Sequence, residues 1–406
     1  MEKKKLRIAY FMDNFFPQVN GVVTSSINTC FEMARRGHEI FGVTIKPEDF
    51  KDYPEDYFPF PVYFQDGFPA EFYPDFYFTY PFDKNVFIKI KEFNPDIIHF
   101  HAPFTIGYQA IRIARKLKVP VVGTFHTFFA EKEYLSIVGL EKWTILQKIG
   151  WWYSNNFFNR CDAVVSPGIQ TAKILKENGL KSYLEIISNG VDVDKYKNFN
   201  FKNDLNIEIK DDEQWILYVG RVSKEKCIDT LIDAVEIAMN KNSKIRLLVV
   251  GGGPYISQLE KIAINKKIRD KIVITGLIPN KKLLESGIFK KMKVFVTAST
   301  SENQPMTILE AIMFGLPIIG VNARGVPELI EDNGFIVEPN NPEKLAEKIL
   351  ELLSCEELRL RFSKKSLELS EKYNIKNTSD KMETLYYRLI EAKIKNLNLE
   401  LINLTN

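Results

Sequence analysis

Short apolar runs alternate with helix-like segments along the first half of the chain. The first run, LRIAYFM, precedes the turn-rich DNFFPQVNG, and the apolar spacing of VVTSSINTCFEMARRG predicts a helix that ends at Gly37. HEIFGVTI, DIIHFH and VPVVGTFH predict three further buried strands, and CDAVVSPG and LEIISNG predict strand-and-turn units. Such alternation is typical of a parallel sheet with helices on both faces.

The same alternation begins again near residue 214. QWILYVGR predicts a strand, CIDTLIDAVEIAMNK a helix, and IRLLVVGGGP a strand that runs into a glycine turn. KIVITGLI, KVFVTAS and LPIIGV predict short buried strands, and after NPEKLAEKILELL the chain is helical and charged. We therefore predict an α/β protein with two Rossmann-like domains, joined near SNGVDVDKYKNFNFKNDLN. Ligands of such sheets bind at the carboxyl ends of the strands, so we expect a site in a cleft between the domains.

Residues 50–82 interrupt this pattern with many proline, phenylalanine and tyrosine residues. Proline at this density excludes a long helix and an interior strand, and the aromatic content argues against a solvated linker. Two interpretations stay open: an irregular excursion packed on the first domain, or an apolar surface that contacts an acceptor or a membrane.

Composition narrows the classes of function. Of the 406 residues, 55 are lysine or arginine and 52 are acidic, so the net charge of +3 argues against a nucleic-acid partner. The basic N-terminus precedes an apolar run only one strand long, and no apolar run reaches the about 18 residues of a membrane span. Any membrane role would be peripheral. Four scattered cysteines indicate a reducing compartment, the cytoplasm: Cys30, Cys161, Cys227 and Cys355.

The strongest chemical signal is the stretch TSENQPMTILEAIMFGLPIIG, which holds Glu302 and Glu310. The first glutamate is expected in a loop after a strand, and the second inside the following helix. The first amides of that helix, from Met306, Thr307 and Ile308, would form an anion site for a diphosphate. Glu310 could accept hydrogen bonds from ribose hydroxyls, and Glu302 from hydroxyls of a transferred sugar. The alternative is a helix start flanked by two solvated glutamates.

Two further motifs follow predicted strands of the second half. In GRVSKEK, Arg221 and Lys226 could neutralise a diphosphate leaving group, although surface cations often form only a solvated face. In GGGP, Gly252 could contact a base and ribose, or the three glycines could simply make a tight turn.

The first half offers a glycine and three histidines. Gly21, at the start of the first helix, could let the backbone approach phosphates, or could serve helix–sheet packing. His99 and His101 alternate along one strand, so only one is expected to face the cleft. His101 and His126, each at a strand end, are the candidate site residues, whereas His99 could equally be structural. No further ligand lies at zinc-site spacing, and no metal site is predicted.

Taken in order, FFPQVNGVVTS, HFHAP, TFHT, SNGVD, GRVSKEK, GGGP and SENQPMTILEAIMFGLP resemble the retaining glycosyltransferases of family four, which have the GT-B fold. The resemblance implies an acceptor-binding domain over 1–192, completed by helices from about 376–406, and a nucleotide-sugar-binding domain over 193–375. It implies a histidine beside the transferred sugar, His101, and a flexible loop over the phosphates at Gly21. The implied catalytic residues are His101, Arg221, Lys226 and Glu302. The implied donor-binding residues are Gly21, Arg221, Lys226, Gly252, Glu302, Gln304, Pro305, Met306, Thr307 and Glu310, and the acceptor-binding residues are His126 and Thr127.

Within the family, TFHTFFAEKEYL and Gln304 resemble bacterial diacylglycerol glucosyltransferases, whereas Pro305 and the pair Phe128-Phe129 depart from them. This resemblance implies a UDP-glucose donor, a lipid acceptor and a peripheral position on the inner face of the membrane. The basic and aromatic residues of 141–160 would suit a membrane interface, or would belong to the core. The expected mechanism needs no metal: the acceptor attacks from the face that the diphosphate leaves.

Three other functions remain open from the sequence. The first is a glycosyltransferase with a soluble or polysaccharide acceptor, or with a GDP-mannose donor. The second is a nucleotide-sugar epimerase, which would release a free epimerised nucleotide sugar. The third is a non-catalytic binding protein, against which the complete set of charged motif residues argues.

Overall fold

The computed structural model describes residues 4–13, 15, 20–46, 57–69, 77–101, 103–126, 128, 144–202 and 204–395. The chain divides into two compact units. Unit 1 is Met1–Gly190 with Ile375–Asn406, and unit 2 is Val191–Asn374. Each unit is built on one parallel sheet, so the predicted α/β architecture with two Rossmann-like sheets is confirmed.

Unit 1 contains a seven-stranded parallel sheet in the order β3-β2-β1-β6-β7-β8-β9. Its strands are β1 (Arg7–Met12), β2 (Glu39–Ile45), β3 (Val62–Gln65), β6 (Ile97–Phe100), β7 (Val121–Thr124), β8 (Ala163–Ser166) and β9 (Tyr183–Ile186). β4 (Phe68–Pro69) and β5 (Tyr77–Phe78) form a separate antiparallel pair. The central strands are buried along their whole length, as expected where helices cover both faces of a parallel sheet.

Five helices connect these strands in the described part of unit 1: α1 (Gly21–Arg35), α2 (Lys84–Phe93), α3 (Thr105–Leu117), α4 (Thr144–Phe158) and α5 (Ile169–Glu177). The side chain of Asn20 caps α1 by accepting a hydrogen bond from the Val23 amide at 2.9 Å. The helix ends two residues before Gly37, close to its predicted end. Its start at Gly21 places this glycine at the carboxyl edge of β1.

The proline-rich segment at 50–82 is partly structured. β3 is an edge strand of the main sheet, and Phe58 and Phe60 are buried in the core of unit 1. By contrast, Phe68 and Tyr80 are exposed. The packed excursion therefore describes the part before β3, while residues 50–56 and 70–76 lie outside the described residues.

Unit 2 contains a six-stranded parallel sheet in the order β12-β11-β10-β13-β14-β15. Its strands are β10 (Gln214–Val219), β11 (Ile245–Val250), β12 (Ile272–Ile274), β13 (Val294–Val296), β14 (Ile318–Val321) and β15 (Gly334–Val337). Its helices are α6 (Val193–Lys197), α7 (Ile228–Lys241), α8 (Ile256–Asn265), α9 (Asn280–Glu285), α10 (Ile288–Lys291), α11 (Met306–Met313), α12 (Pro342–Ser354) and α13 (Glu356–Lys372). Two apolar clusters, one for each face of the sheet, form its core.

The last helix, α14 (Ile375–Lys395), follows unit 2 in the chain but packs on unit 1, as predicted. Arg36 at the end of α1 forms ion pairs with Asp380 at 2.6 Å and Glu383 at 3.0 Å. Tyr386 is fully buried, and its hydroxyl lies 2.9 Å from that of Tyr10 on β1. α14 is thus part of the core of unit 1. Within the described ranges, no helix combines the length and the apolar character that crossing a bilayer would require.

Candidate active site

In unit 2, two loops at the carboxyl edge of the sheet support each other closely. The loop after β10 carries Arg221, and the Val222 amide donates to the Gly252 carbonyl at 2.8 Å. A Cβ at Gly251 would lie 1.8 Å from the Gly220 carbonyl oxygen, and one at Gly253 would lie 2.1 Å from that of Val222. These two glycines therefore serve the packing of the turn. A donor contact at Gly252 stays a prediction.

Lys226 and Glu302, predicted to bind different parts of the donor, form an ion pair with each other. The Lys226 Nζ lies 2.7 Å from Glu302 Oε1, and both side chains are more than four-fifths buried. The pair forms because β10 and β13 are neighbours in the sheet, so the loops that follow them meet. Residues 76 positions apart in the chain are thus brought together.

Gly325, which was not predicted as a site residue, packs against the loop that carries Glu302 and forms a hydrogen bond with it. The Gly325 amide donates to the Glu302 carbonyl at 3.1 Å. A Cβ at Gly325 would lie only 1.5 Å from the Asn303 carbonyl oxygen, so no other residue fits there without moving this loop. The available signal was a glycine shortly after the predicted strand LPIIGV, which is too common to indicate a support role.

The helix α11 begins after Pro305 and has no side-chain cap. The amides of Ile308 and Leu309 donate back to the Pro305 carbonyl, at 3.2 and 3.4 Å. The prediction that Ile308 offers its amide to an anion is therefore wrong, because this amide is used within the helix. The amides of Met306 and Thr307 belong to the first turn, where a helix supplies no acceptor, and the helix dipole favours an anion there. Gln304, just before the cap, is buried.

Glu310 lies inside α11 and is 2 % exposed. Its Oε1 accepts a hydrogen bond from the Asn280 side chain at 2.7 Å, while its Oε2 has no hydrogen-bond partner in the described part of the chain. Burial raises the pKa of Glu310 to about 7, against the opposing effect of the Asn280 hydrogen bond. A buried carboxyl group with one free oxygen is suited to a hydroxyl-bearing ligand. Asn280 was missed because nothing in its local sequence links it to Glu310.

In unit 1, His99 is a structural residue. Its Nδ1 lies 2.6 Å from the Tyr386 hydroxyl and its Nε2 lies 2.7 Å from the Thr124 hydroxyl. Both ring nitrogens are therefore used in a buried network that joins β6, β7 and α14. Burial, and to a smaller extent His126, lowers the pKa of His99 to about 3, so the ring is neutral at physiological pH.

His101 and His126 form the histidine pair at the carboxyl edge of this sheet. The His101 Nδ1 lies 3.0 Å from the His126 Nε2, and His101 Nε2 has no hydrogen-bond partner within the described ranges. Burial lowers the pKa of both rings, for His126 to about 4, so the pair is uncharged at neutral pH. His101 follows the last residue of β6, and its ring stacks on His99 with centroids 4.5 Å apart. The prediction that strand alternation lets only one of these rings face the site is therefore wrong in its reason, because residues two apart in a strand share a face; His99 is instead set apart by its two hydrogen bonds.

Two further predicted site residues, Gly21 and Thr127, belong to unit 1. Gly21 is the first residue of α1, and its approach to phosphates stays a prediction. Thr127 lies outside the described residues. Among the residues that are described, no group of three or more histidine, cysteine, aspartate or glutamate side chains could hold a metal ion.

Asp13 is a buried acidic residue at the same sheet edge that the sequence analysis did not single out. It directly follows β1, is 4 % exposed, and neither of its carboxyl oxygens has a hydrogen-bond partner in the described ranges. Burial raises the pKa of Asp13 to about 8. The signal in the sequence was an acidic residue at the end of the apolar run LRIAYFM, where the chain enters the carboxyl edge of the sheet.

Two family models match the chain, one for each unit. "Glycosyltransferase Family 4" matches residues 19–195, and "Glycosyl transferases group 1" matches residues 200–368. An alpha-monoglucosyldiacylglycerol synthase of Streptococcus pneumoniae is 30% identical over 86% of this chain and 78% of its own length. A synthase of the same name from Acholeplasma laidlawii is 27% identical over 97% of this chain and 100% of its own length. The chain belongs to family four of the glycosyltransferases, and it is a hexosyltransferase.

Other matches widen the range of substrates among relatives. A GDP-mannose-dependent alpha-mannosyltransferase of Corynebacterium glutamicum is 23% identical over 82% of this chain and 77% of its own length. The crystal structure of HepE from Anabaena, in complex with UDP and glucose, superposes with a TM-score of 0.73 at 16% identity, covering 94% of this chain and 99% of that one. This likeness supports the GT-B fold.

Proposed function

We propose that the chain transfers glucose from UDP-glucose to 1,2-diacylglycerol, with retention of configuration, at the inner surface of the membrane. The observation that carries the donor part is the surroundings of Glu310, a buried carboxyl group with one oxygen left open beside an uncapped helix start. The acceptor part rests on the similarity to the two alpha-monoglucosyldiacylglycerol synthases, whose name specifies both the sugar and the lipid.

In this proposal the donor binds unit 2. Glu310 accepts a hydrogen bond from the ribose through its open oxygen, and the amides of Met306 and Thr307 receive the diphosphate. The ion pair with Glu302 holds Lys226 at the same edge of the sheet, and the diphosphate offers this lysine a second anionic partner. Glu302 is then available to hydroxyls of the sugar. Arg221, on the loop supported by the glycine turn, adds a second cation.

The chemical step follows from these charges. The acceptor oxygen bonds to C1 of the sugar on the face from which the diphosphate departs, and the bond from C1 to the diphosphate breaks. A phosphate oxygen of the leaving group takes the hydroxyl proton, so the products balance without a protein nucleophile. Arg221, Lys226 and the dipole of α11 stabilise the negative charge that grows on the leaving group, without a metal ion.

The helix α4 supports the membrane part of the proposal. Ile145, Ile149 and Trp152 follow each other at spacings of four and three residues, so they share one face of the helix, and each is more than half exposed. Trp151 and Phe158 of the same helix are buried in the core. The core interpretation of 141–160 therefore holds for the buried face, and the membrane interpretation is proposed for the exposed face. Residues 141–143 lie outside the described ranges. An exposed isoleucine–tryptophan stripe next to the exposed Lys148 suits a membrane interface.

The test of donor and acceptor uses purified protein with labelled UDP-glucose, UDP-galactose and GDP-mannose, each with and without vesicles that contain diacylglycerol. The label that enters the organic phase and the anomeric configuration of the lipid product are measured, with and without EDTA. We expect an α-linked glucolipid from UDP-glucose, insensitive to EDTA and lost in Glu302→Ala. Transfer only to a soluble acceptor would overturn the lipid acceptor, and free epimerised nucleotide sugar would overturn transfer itself.

One second candidate is favoured by a specific observation. Because a GDP-mannose-dependent mannosyltransferase also matches most of the chain, mannose transfer is the competing donor choice. Labelling from GDP-mannose but not from UDP-glucose in the same assay would establish it.

Membrane contact is tested by sedimentation with vesicles. The double variant Ile149→Ser/Trp152→Ser should lose vesicle binding while its turnover of a short-chain, water-soluble diacylglycerol stays unchanged. The matched control is Ile264→Ser, which removes an equally exposed isoleucine from unit 2. Undiminished vesicle binding of the double variant would show that α4 is not the membrane contact.

A further inference from the structure

The carboxyl group of Asp13 is the least explained polar group in unit 1. It is almost completely buried, yet neither oxygen has a hydrogen-bond partner within the described residues. Burying a carboxyl group without a partner costs free energy, and buried polar groups in folded proteins are generally bonded. A ligand that forms hydrogen bonds with the Asp13 carboxyl group would explain why this group is buried without a partner in the protein.

Other aspartates of unit 1 show what a structural carboxylate looks like in this fold. Asp96, just before β6, accepts a hydrogen bond from the Arg7 amide at 2.7 Å. Asp162, just before β8, accepts one from the Val121 amide at 2.8 Å. Both lie at the amino edge of the sheet and tie neighbouring strands together. Asp13 lies at the opposite, carboxyl edge and makes no such bond.

Asp13 lies at the same edge of the sheet as the predicted catalytic residue His101 and the predicted acceptor-binding residue His126. β1, β6 and β7 are consecutive strands of the sheet, and Asp13, His101 and His126 each follow the end of one of them. The His101 amide donates to the Phe11 carbonyl at 3.0 Å, so the ends of β1 and β6 stay paired up to the site. Burial and then the charge of Asp13 raise the pKa of Tyr153 on α4, which places that helix near the same carboxyl group.

We propose that Asp13 is an acceptor-binding residue that forms a hydrogen bond with the attacking hydroxyl of the acceptor. A carboxyl group in its acid form donates one hydrogen bond and accepts another, and a hydroxyl needs the same two partners. Asp13 orients a lone pair of the acceptor oxygen toward C1 of the sugar and is not itself consumed. The proton still leaves to the departing phosphate. This inference rests on the proposed transferase function and names the residue that orients its acceptor.

The experiment compares Asp13→Asn and Asp13→Ala with Asp96→Asn as the matched control. For each protein, the KM for the acceptor, the KM for the donor, the rate of donor hydrolysis without acceptor, and the midpoint of thermal unfolding are measured. We expect the KM for the acceptor to rise about tenfold in Asp13→Ala, as for the loss of one hydrogen bond, and by less in Asp13→Asn, whose amide can still bond. The KM for the donor and the hydrolysis rate should stay unchanged.

Thermal unfolding separates this role from a structural one. Asp13→Asn should unfold at the same or a higher temperature, because no bond within the protein is lost, whereas Asp96→Asn should unfold earlier with an unchanged KM for the acceptor. An unchanged KM for the acceptor in Asp13→Ala, or a lower midpoint in Asp13→Asn, would overturn the inference and leave the transferase function intact. A wild-type protein that transfers sugar to no acceptor would instead overturn the function on which the inference rests.

Discussion

The polar side chains at the carboxyl edges of the two sheets differ in their charge. In unit 2, Lys226 and Glu302 form an ion pair, and Glu310 accepts a hydrogen bond from Asn280 through one oxygen while its other oxygen has no partner among the described residues. In unit 1, His101 and Asp13 keep atoms without any hydrogen-bond partner among the described residues, and burial holds them in their neutral forms at physiological pH. The ion pair keeps a charged lysine at the edge of unit 2, which suits a phosphate ligand. The neutral groups at the edge of unit 1 suit a hydroxyl.

The loops at these edges differ as well. Those of unit 2 are locked by glycines that touch carbonyl oxygens of the neighbouring loop, at Gly251, Gly253 and Gly325. At the edge of unit 1 the fixed elements are aromatic rings and a buried network that reaches Tyr386 on α14. The glycine-packed loops of unit 2 and the neutral edge of unit 1 are therefore sensitive to different substitutions, and four predictions test this difference.

The largest effect is expected at the charged pair. Lys226→Ala should lower kcat by about 10²–10³-fold, because in the proposed mechanism this cation stabilises the leaving diphosphate. The matched control is Lys224→Ala, two residues earlier and exposed, which should change kcat less than twofold. Equal losses in the two variants would show that the pairing at this edge is incidental. Steady-state kinetics with saturating acceptor provides the measurement.

The next effect concerns the stability of unit 2. The raised pKa of Glu310, about 7 instead of 4.5, means that the folded protein holds a proton that the unfolded chain releases between these values. The contribution of Glu310 to the free energy of unfolding should therefore be highest below about pH 4.5 and fall as the pH rises to about 7. Glu310→Gln should remove this loss, which is on the order of 3 kcal/mol at full size.

The measurement is the difference in free energy of unfolding between Glu310→Gln and wild type, taken from pH 4 to 9 without donor. It should grow up to about pH 7 and then stay constant. In Asp13→Asn the same difference should grow up to about pH 8, since burial raises the pKa of that carboxyl further. A flat difference in either variant would mean that the group is ionised and solvated in the folded protein.

A third comparison stays within unit 1. His99→Ala should lower the free energy of unfolding by about 2 kcal/mol or more, because it leaves the hydroxyls of Tyr386 and Thr124 without their partner and opens a cavity. His101→Ala should cost less stability but more activity, since it loses one hydrogen bond, that to His126, whereas His99→Ala loses two. Urea denaturation measures the stability of the two variants, and initial rates measure their activity. A larger stability loss in His101→Ala and a larger activity loss in His99→Ala would contradict the structural role of His99 and the functional role of His101.

The smallest effect is expected at Gly252. A Cβ there would approach the Leu277 Cβ to 3.3 Å, whereas one at Gly251 would overlap a backbone oxygen. Gly252→Ala should therefore change the free energy of unfolding by less than about 1 kcal/mol, and should weaken donor binding a few-fold if the glycine contacts the nucleotide. Calorimetric titration with UDP measures it, and unchanged binding would make the whole turn structural.

Local patterns in the sequence were sufficient to predict the architecture and to identify the candidate donor-binding residues of unit 2. The strands of both sheets were predictable because parallel strands covered on both faces are continuously apolar, and the helix after SENQPM was predictable because its spacing is regular. Glu302, Glu310, Arg221 and Lys226 could be predicted as candidates because each stands in a motif next to such an element. The prediction that strand alternation separates His99 from His101 failed because residues two apart in a strand lie on the same face, and the two rings stack there.

The sequence by itself therefore determined that the protein has two parallel sheets, which strand ends carry charge, and to which family the chain belongs. The pairing of Lys226 with Glu302, the bond from Asn280 to Glu310, the satisfied ring of His99 and the isolated carboxyl group of Asp13 were decided only by the tertiary structure. The physical reason is that a side chain's role depends on its partners and its exposure to water. Both are set by strands and helices that are neighbours in space but far apart in the chain.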